Sequence, residues 1–284
     1  MERATVAVLG ATGVLGRQVV PRLIERGHDV RPIVRSDEQV RRFERLGVRA
    51  VLGDILDPIS LDRALRGCEA ALHLATAIPR PGGAPDWTIN DRIRREGTAH
   101  LVAACESAGV HRYVQQSIAH LVADGSTSIL DESAPVRPTA VTASAADMES
   151  IVAGSRLSWI VLRGGWFYGP GTGRDDAWRQ LARTGELHLP GDGSDYVSLI
   201  HVTDMADAVA LALEGGPPKA VLSIVDDAPV TYATLFHHIA AVEGGPEPRP
   251  GGVAALPSFR VTNARARAFL PWTPRVATYR SGFA

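Results

Sequence analysis

The chain has 284 residues, 45% of them hydrophobic and 21% charged, with a formal net charge of −1. That length can bury a sizeable core, as one large α/β domain or two intimate lobes, and the near-neutral balance leaves no global field for nucleic acid or an anionic membrane. No apolar run is long enough to span a bilayer and no signal-peptide pattern stands at the N-terminus, which together point to a cytoplasmic protein. Cys68 and Cys105 are too few for a disulfide framework and read as buried, reduced thiols. Basic charge is almost all arginine, Lys219 being the only lysine.

Residues 4–9 form an apolar run that reads as a strand, and residues 14–26 an amphipathic run that reads as a helix. Between them lie Gly10, Ala11, Thr12, Gly13, Val14, Leu15 and Gly16. Glycines at these three positions permit a tight turn, a close backbone approach and a helix N-terminus bare of side chains, where free N–H groups and the helix dipole suit a pyrophosphate. A tight strand–helix turn without a ligand is the plainer alternative. Residues 30–35 read as the second strand, 37–46 as a helix, 49–52 as the third strand, and 60–66 as a short helix with Ser60 as its N-cap. Residues 70–74 read as the fourth strand, followed by a Pro/Gly-rich loop at 79–85 and a long helix over about 87–108. Residues 112–117 give a fifth strand, 142–154 a helix and 158–163 a sixth strand. This alternation predicts an α/β fold, a Rossmann-type doubly wound parallel sheet covered by helices on both faces.

Beyond Arg163 the pattern changes to a Gly- and aromatic-rich stretch, residues 164–173. Pieces near 196–200 and 220–225 read as returning to the sheet, 203–214 as a helix capped by Thr203, and 231–242 as a further helix. The expected organisation is a dinucleotide-binding domain over 1–163, with 196–225 returning to it, and a small substrate lobe made of 164–195 and 226–284. A ligand is expected at the strand C-termini.

The end of the second strand approaches the adenosine ribose in such folds, where an acidic residue binds ribose hydroxyls and an arginine accommodates a 2′-phosphate. Here stand Arg35 and Ser36, a guanidinium fork and a hydroxyl, with Arg17 past the third glycine as a second charge. NADPH/NADP+ is therefore expected over NAD(H). Asp54 and Ile55, after the third strand, are placed for the adenine, and Leu74, Ala75 and Thr76, after the fourth, for the cofactor's other side. Ser117, Gly164, Gly165, Trp166 and Phe167 complete the expected cofactor contacts. His237 and His238 have no partner at metal-ligand spacing, so no metal is expected.

With these pieces in order the chain resembles the short-chain dehydrogenase/reductase superfamily, in its extended or atypical epimerase/dehydratase-like branch. The resemblance rests on Gly10 to Gly16, Gly53-Asp54, His73-Leu74-Ala75, Glu96-Gly97-Thr98, the stretch from Gly109 to Val114, that from Leu162 to Pro170, Gly191-Asp192-Gly193 and the stretch from Ile200 to Asp204. It covers most of the chain. It implies an active site with a tyrosine acid, a lysine one helical turn later and a serine after the fifth strand. This chain departs from that pattern. Val141 stands at the tyrosine position, Ala145 at the lysine position, Ile118 at the serine position with Ser117 just before it, and Arg94 at the position of a helix asparagine. None of the tyrosines, at 113, 168, 196, 232 and 279, is followed by a lysine one turn on.

Hydride transfer to a ketone builds an oxyanion that must be stabilised or protonated. A positioned acid typically gives about 10²–10⁴-fold, and placing the carbonyl against the nicotinamide can contribute more. Two replacements for the lost relay are credible: a phenol beside the ketone that pre-polarises it, or donors from Ser117, Arg94 and His120, with Thr142, Ser144 and Tyr168 as further candidates. Each has a plainer reading: Arg94 pairing with Asp91 or Asp86, Thr142 and Ser144 as caps, His120 as a solvated loop residue, Tyr168 as packing, and His201 with Asp204 ordering a turn. Trp166, Phe167, Trp178, Phe259, Phe269 and Trp272 are candidates for a flat apolar wall, which suits a polycyclic aromatic ketone. The resemblance narrows to tyrosine-independent ketoreductases of aromatic polyketide tailoring in antibiotic biosynthesis. A non-catalytic NADP(H) sensor of the NmrA-like kind and a cofactor-retaining isomerase or cyclase stay open beside it.

Overall fold

A computed structural model describes residues 3–79, 85–254 and 256–284, so most of the predicted Pro/Gly loop at 79–85 lies outside the described residues. The elements run β1 (Thr5–Leu9), α1 (Gly16–Glu25), β2 (Asp29–Val34), α2 (Asp37–Glu44), β3 (Val51–Leu52), α3 (Pro58–Ala64), β4 (Ala70–His73), α4 (Thr88–Arg92), a π-helical turn (Ile93–Gly97), α5 (Thr98–Ala108), β5 (Arg112–Ile118) and a 3₁₀ turn (Ala119–Val122). They continue with β6 (Ile129–Leu130), α6 (Ala143–Ala153), β7 (Ser158–Gly164), β8 (Trp166–Tyr168), α7 (Arg174–Thr184), β9 (Leu189–Pro190), β10 (Tyr196–Val197), β11 (Leu199–His201) and α8 (Val202–Glu214). The last are β12 (Ala220–Ile224), β13 (Val230–Thr231), α9 (Tyr232–Glu243), β14 (Pro250–Gly252), β15 (Arg260–Val261), α10 (Ala264–Phe269) and α11 (Tyr279–Gly282).

A seven-stranded parallel sheet in the order β12-β7-β5-β4-β1-β2-β3 is the frame. Strand β1 is almost wholly apolar because it is paired on both edges, with β2 and β4, and covered on both faces. The strand order reverses between β1 and β4, which is where such sheets open a crevice for a ligand. Helix α1 buries Gly16, Val19, Val20 and Leu23, a stripe at helical spacing. Helix α3 starts two residues earlier than the sequence pattern suggests. Asp57, not Ser60, is its N-cap, accepting from the Ile59 and Ser60 amides at 3.1 and 3.4 Å, and Pro58 fills the first helical position. Helix α8 likewise begins at Val202, so Thr203 lies within its first turn, its hydroxyl 2.5 Å from His201 Nδ1.

The chain divides into two compact units: Met1–Ser117, Pro138–Leu162 and Ala206–Val221 form the first, and Ile118–Arg137, Arg163–Met205 and Leu222–Ala284 the second. The partition differs from the expected boundaries in placing 118–137, Arg163, 196–205 and 222–225 in the second unit. Residues 118–137 go with the second unit, where β6 pairs with β15. The stretch read as returning to the sheet at 196–200 breaks into β10 and β11, which pair with β13 and β8 outside the seven-stranded sheet. The physical reason is local: the buried Ser198 between them donates to Phe259 O and accepts from Val261 N, so side-chain bonds interrupt the ladder.

In the first unit Arg112 is buried and serves as a cap, its Nε donating to Ala212 O at 3.0 Å and its Nη2 reaching Ala212 O and Gly215 O near the end of α8. The second unit has its own core, in which Tyr168 stacks on Phe283 at 5.2 Å and meets His201 edge-on at 5.2 Å. Asp226 is 1% exposed there; its Oδ1 accepts from Ala228 N at 3.1 Å and its Oδ2 has no partner. Burial, with smaller contributions from Asp227 and Asp204, raises this carboxyl to about 8 against the pull of the Ala228 amide. An unfolded aspartate titrates near pH ~3.9. Its contribution to stability is therefore complete below that pH and is lost as pH rises through about 8. Asp226→Asn keeps a carbonyl for Ala228 and removes the titration. Urea unfolding of this variant should lose less stability than the parent between acid pH and pH 8, and parallel profiles would refute the assignment.

Candidate active site

The Gly10–Gly16 turn divides its work among three glycines. Gly10 has φ +84, and a Cβ there would sit 2.6 Å from Leu74 C and Ala75 N, so only glycine lets β1 turn against the end of β4. Gly16 packs so closely on the Gly10 and Ala11 backbone that no side chain fits. Gly13 is exposed, and a Cβ there would meet only Gly10 O, at 3.1 Å. Helix α1 starts after Leu15 with no side-chain cap and no acidic residue in its first turn. The Arg17 and Gln18 amides are already bonded, to Gly13 O at 3.1 Å and Leu15 O at 2.9 Å, so the donors for a ligand belong to the turn that leads into the helix. An uncapped N-terminus flanked by a bare glycine fits a dinucleotide pyrophosphate.

At the adenosine end, Arg35 is exposed just beyond β2 and its amide donates to Gln39 Oε1 at 3.0 Å. Ser36 has a structural task that the sequence reading does not give it: it is the N-cap of α2, its hydroxyl accepting from Gln39 N at 3.4 Å. Asp54 is also partly engaged, its Oδ1 accepting from Leu56 N at 2.9 Å and its amide donating to Ser60 Oγ at 2.9 Å. Ile55 is buried against Gly97, where a Cβ would come within 3.0 Å of it. Leu74 is buried and its amide continues the ladder to Leu9 O at 3.0 Å, while Ala75 is half-buried and Thr76 exposed.

The long helix predicted over 87–108 is broken by the π-helical turn, and Arg94 sits in it. Such turns commonly mark functional sites. Arg94 is not the surface ion pair that its neighbours suggest: it is buried, and Nη1 donates to Ser144 Oγ on α6 at 3.3 Å. Asp91 pairs instead with Arg95 at 3.5 Å, which also meets Asp147 at 2.7 Å. Burial lowers the Arg94 pKa, with Asp91 acting weakly the other way. Next to it, burial pushes the His73 imidazole down to about 3, helped by the Arg94 charge and opposed by the Ile93 carbonyl, so this ring is neutral. His73 Nδ1 accepts from Ala75 N at 3.3 Å, and Asn90 Oδ1 accepts from Ala77 N at 3.1 Å.

Ser117, at the end of β5, is buried and donates its hydroxyl proton to Glu149 Oε1 at 2.6 Å. Sequence reasoning misses Glu149, although it lies on α6 one turn past Ala145 and two past Val141, the spacing that puts side chains on one face. Thr142 directly precedes α6 but does not cap it; its hydroxyl accepts from Thr139 N at 2.8 Å. The first unit thus brings together Arg94 with Ser144 and Ser117 with Glu149, both on α6, while Val141 and Ala145 carry no acid or base.

The remaining expected residues belong to the second unit. His120 packs 5.6 Å from Phe259. Gly164 and Gly165 are explained by packing there: a Cβ would meet Phe167 at 2.7 Å in one case and Ser198 O at 2.7 Å in the other. Trp166 is half-buried, with Arg174 4.3 Å over its ring and Trp178, Tyr232 and Phe259 around it. The wall is less continuous than expected: Phe269 is 45% exposed, and Trp272 is buried with its indole N–H on Asp204 O at 3.0 Å. Tyr168 is fully buried, its pKa raised by burial first, which removes it as an acid for a substrate. Among the described residues no group of three or more His, Cys, Asp or Glu could hold a metal ion, and no helix is long and apolar enough to cross a membrane.

A family described as NAD(P)H-binding matches residues 10–215. The 3-diazoavenalumate denitrifying reductase of a Streptomyces species is 34% identical over 98% of both chains. The 4-hydroxy-2-methyl-3-oxo-4-farnesyl-3,4-dihydroquinoline-1-oxide ketoreductase of Stigmatella aurantiaca is 29% identical over 84% of this chain and 72% of its own. Among solved structures, the UDP-glucose 4-epimerase of Thermus thermophilus in complex with NAD superposes with a TM-score of 0.80 at 22% identity, over 98% of this chain and 96% of that one. At that identity the likeness is one of fold.

The different tasks of the glycines can be separated by substitution. Gly13→Ala should fold, as judged by its melting temperature, yet bind NADPH about tenfold more weakly, ~1.4 kcal/mol. Gly10→Ala should fail to fold, because its Cβ meets backbone. Unchanged NADPH affinity in folded Gly13→Ala would overturn the cradle.

Proposed function

This chain belongs to the NAD(P)H-binding family and is an NAD(P)H-dependent oxidoreductase, and we propose that it is a ketoreductase acting on a polycyclic aromatic, polyketide-type ketone of antibiotic biosynthesis. The observation that carries the reading is the buried Arg94 guanidinium held by Ser144 beside the acid-free positions Val141 and Ala145. A fixed cation in a dry site stabilises a developing alkoxide without donating a proton. The ketoreductase from Stigmatella supports the reaction class. The half-buried Trp166 indole, under Arg174, supports a flat ring as substrate.

Bound NADPH would supply the hydride, with the Gly10–Gly16 turn holding its pyrophosphate. Arg94 stabilises the oxygen that becomes negative as the carbonyl carbon is reduced. Ser117 has one hydroxyl proton and donates it to Glu149, the two oxygens 2.6 Å apart, so it has none left to give to a substrate. The proton for the alkoxide then comes from the substrate, from a phenol adjacent to the ketone. NADPH is preferred over NADH because Arg35 stands exposed at the end of β2 and its fork suits a 2′-phosphate. Replacing it by alanine should reduce the NADPH-over-NADH affinity ratio by about tenfold, the size of a charge-assisted contact; an unchanged ratio removes Arg35 from the cofactor site.

A second reading is favoured by the Streptomyces relative, whose likeness spans nearly the whole of both chains. Hydride delivered to a ring carbon bearing a diazonium group expels N₂ and leaves a C–H bond, with no oxyanion to protonate. A site lacking the tyrosine and lysine would suffice for that as well. Deuterium-labelled NADPH separates the two. Label on a carbinol carbon of a phenolic polycyclic ketone establishes the ketoreductase, label on an arene carbon with release of N₂ establishes the denitrifying reaction, and no transfer to either class of substrate defeats both.

A further inference from the structure

Arg94 is a buried charge with no bonded carboxylate among the described residues, Asp91 acting on it only through space. Only 5% of it is exposed, yet its hydrogen bond among the described residues is the 3.3 Å contact to the neutral Ser144 hydroxyl. Among the same residues it forms no ion pair. Asp147 bonds Arg95 and Glu149 the Ser117 hydroxyl, while Asp91 meets Arg95 through one oxygen at 3.5 Å and keeps the other buried without a hydrogen-bond partner among the described residues. On β4 the adjacent His73 is neutral and adds no charge of either sign. A guanidinium has N–H donors along both edges of a planar fork and stays ionised at any pH a protein tolerates. Burying one without a counter-charge is costly, and a protein retains such a group where a ligand answers it.

The fork is also under-used. Around the π-helical turn His73 Nε2, Asn90 Nδ2, Asp91 Oδ1 and Thr98 Oγ1 are buried without a hydrogen-bond partner among the described residues, and of the five N–H donors of Arg94 one is engaged there, by Ser144. Ala145, next to Ser144, offers no side chain long enough to cover the rest.

We propose that Arg94, beside the oxygen that is reduced, binds an ionised oxygen of the aromatic substrate other than the proton-giving phenol, a carboxylate or a second, acidic phenolate, and so makes the enzyme select anionic over neutral ring systems. This rests on the reductase reading of the same site but not on which carbon receives the hydride. A phenolate or carboxylate meets the guanidinium fork through charge-assisted hydrogen bonds, which are shorter and stronger than neutral ones.

Calorimetric binding to the NADP+-loaded protein tests this without turnover. The probes are 2-naphthoate for a carboxylate, 2,4-dinitro-1-naphtholate for a phenolate, and methyl 2-naphthoate as the neutral control. The parent should bind at least one anion more tightly than the ester, and the preferred anion identifies which oxygen is recognised. Arg94→Gln should weaken that anion about tenfold or more while the ester changes less than about twofold, and Arg94→Lys should restore part of the difference. Equal losses for anion and ester, no loss in Arg94→Gln, or a parent that does not discriminate would overturn the proposal. Failure of the ketoreductase reading shows separately, as absent deuterium transfer to a ketone with anion discrimination intact.

Discussion

The approach of Gly10 to the backbone of Leu74 and Ala75 is the contact on which the rest depends. It is made where the strand order of the sheet reverses, between β1 and β4, and it requires a residue with no side chain and a positive φ. From it a continuous set of bonds reaches across the site. The Ala75 amide fixes His73, the Ala77 amide fixes Asn90, and Asn90 leads the broken helix into the turn that carries Arg94. Arg94 reaches α6 at Ser144, and further along that helix Glu149 returns to β5 at Ser117. The glycine turn and the Arg94–Ser144 and Ser117–Glu149 pairs are thus linked within the first unit.

These links redistribute charge relative to the tyrosine–lysine arrangement that the resemblance implies. On α6 Ala145 stands next to Ser144, and the Arg94 cation reaches Ser144 out of the π-helical turn. A carboxylate occupies the serine hydroxyl instead of leaving it to donate. The neighbouring His73 does not blur this pattern, because burial keeps its ring neutral. The site keeps an electrostatic means of stabilising an anion and lacks a strong acid, which favours reactions whose proton is supplied by the substrate or not needed at all.

Much of the first unit was legible because its strands are continuous apolar runs and its helices have clear stripes, as in β1 and α1. In the second unit the helix read at 231–242 is found as α9, but most strands were not legible. Its strands β6, β9, β10, β13 and β15 are two residues long, too short for any periodicity, and are held by individual bonds such as those of Ser198. At the site, the glycine turn and the vacancies at Val141 and Ala145 could be read directly. The burial of Arg94 could not, since its sequence neighbours Asp91 and Asp86 offer the usual surface pairing, and only the π-helical turn directs it inward. Glu149 carried a signal, its helical spacing from Ala145, but a glutamate on a helix has too many ordinary explanations to stand out.

The π-helical turn separates two duties that an ordinary helix would have to share. Beyond it, α5 presents Leu101, Val102, Ala104 and Cys105 to the core, a stripe set by the sheet. The wider turn adds backbone without extending that stripe, so residues 93–97 rotate independently of the face that follows. Chemistry offered to the ligand can therefore vary, arginine in this chain, with the packing of α5 left as it is. A helix of uniform pitch would tie each such change to a repacking of its whole length.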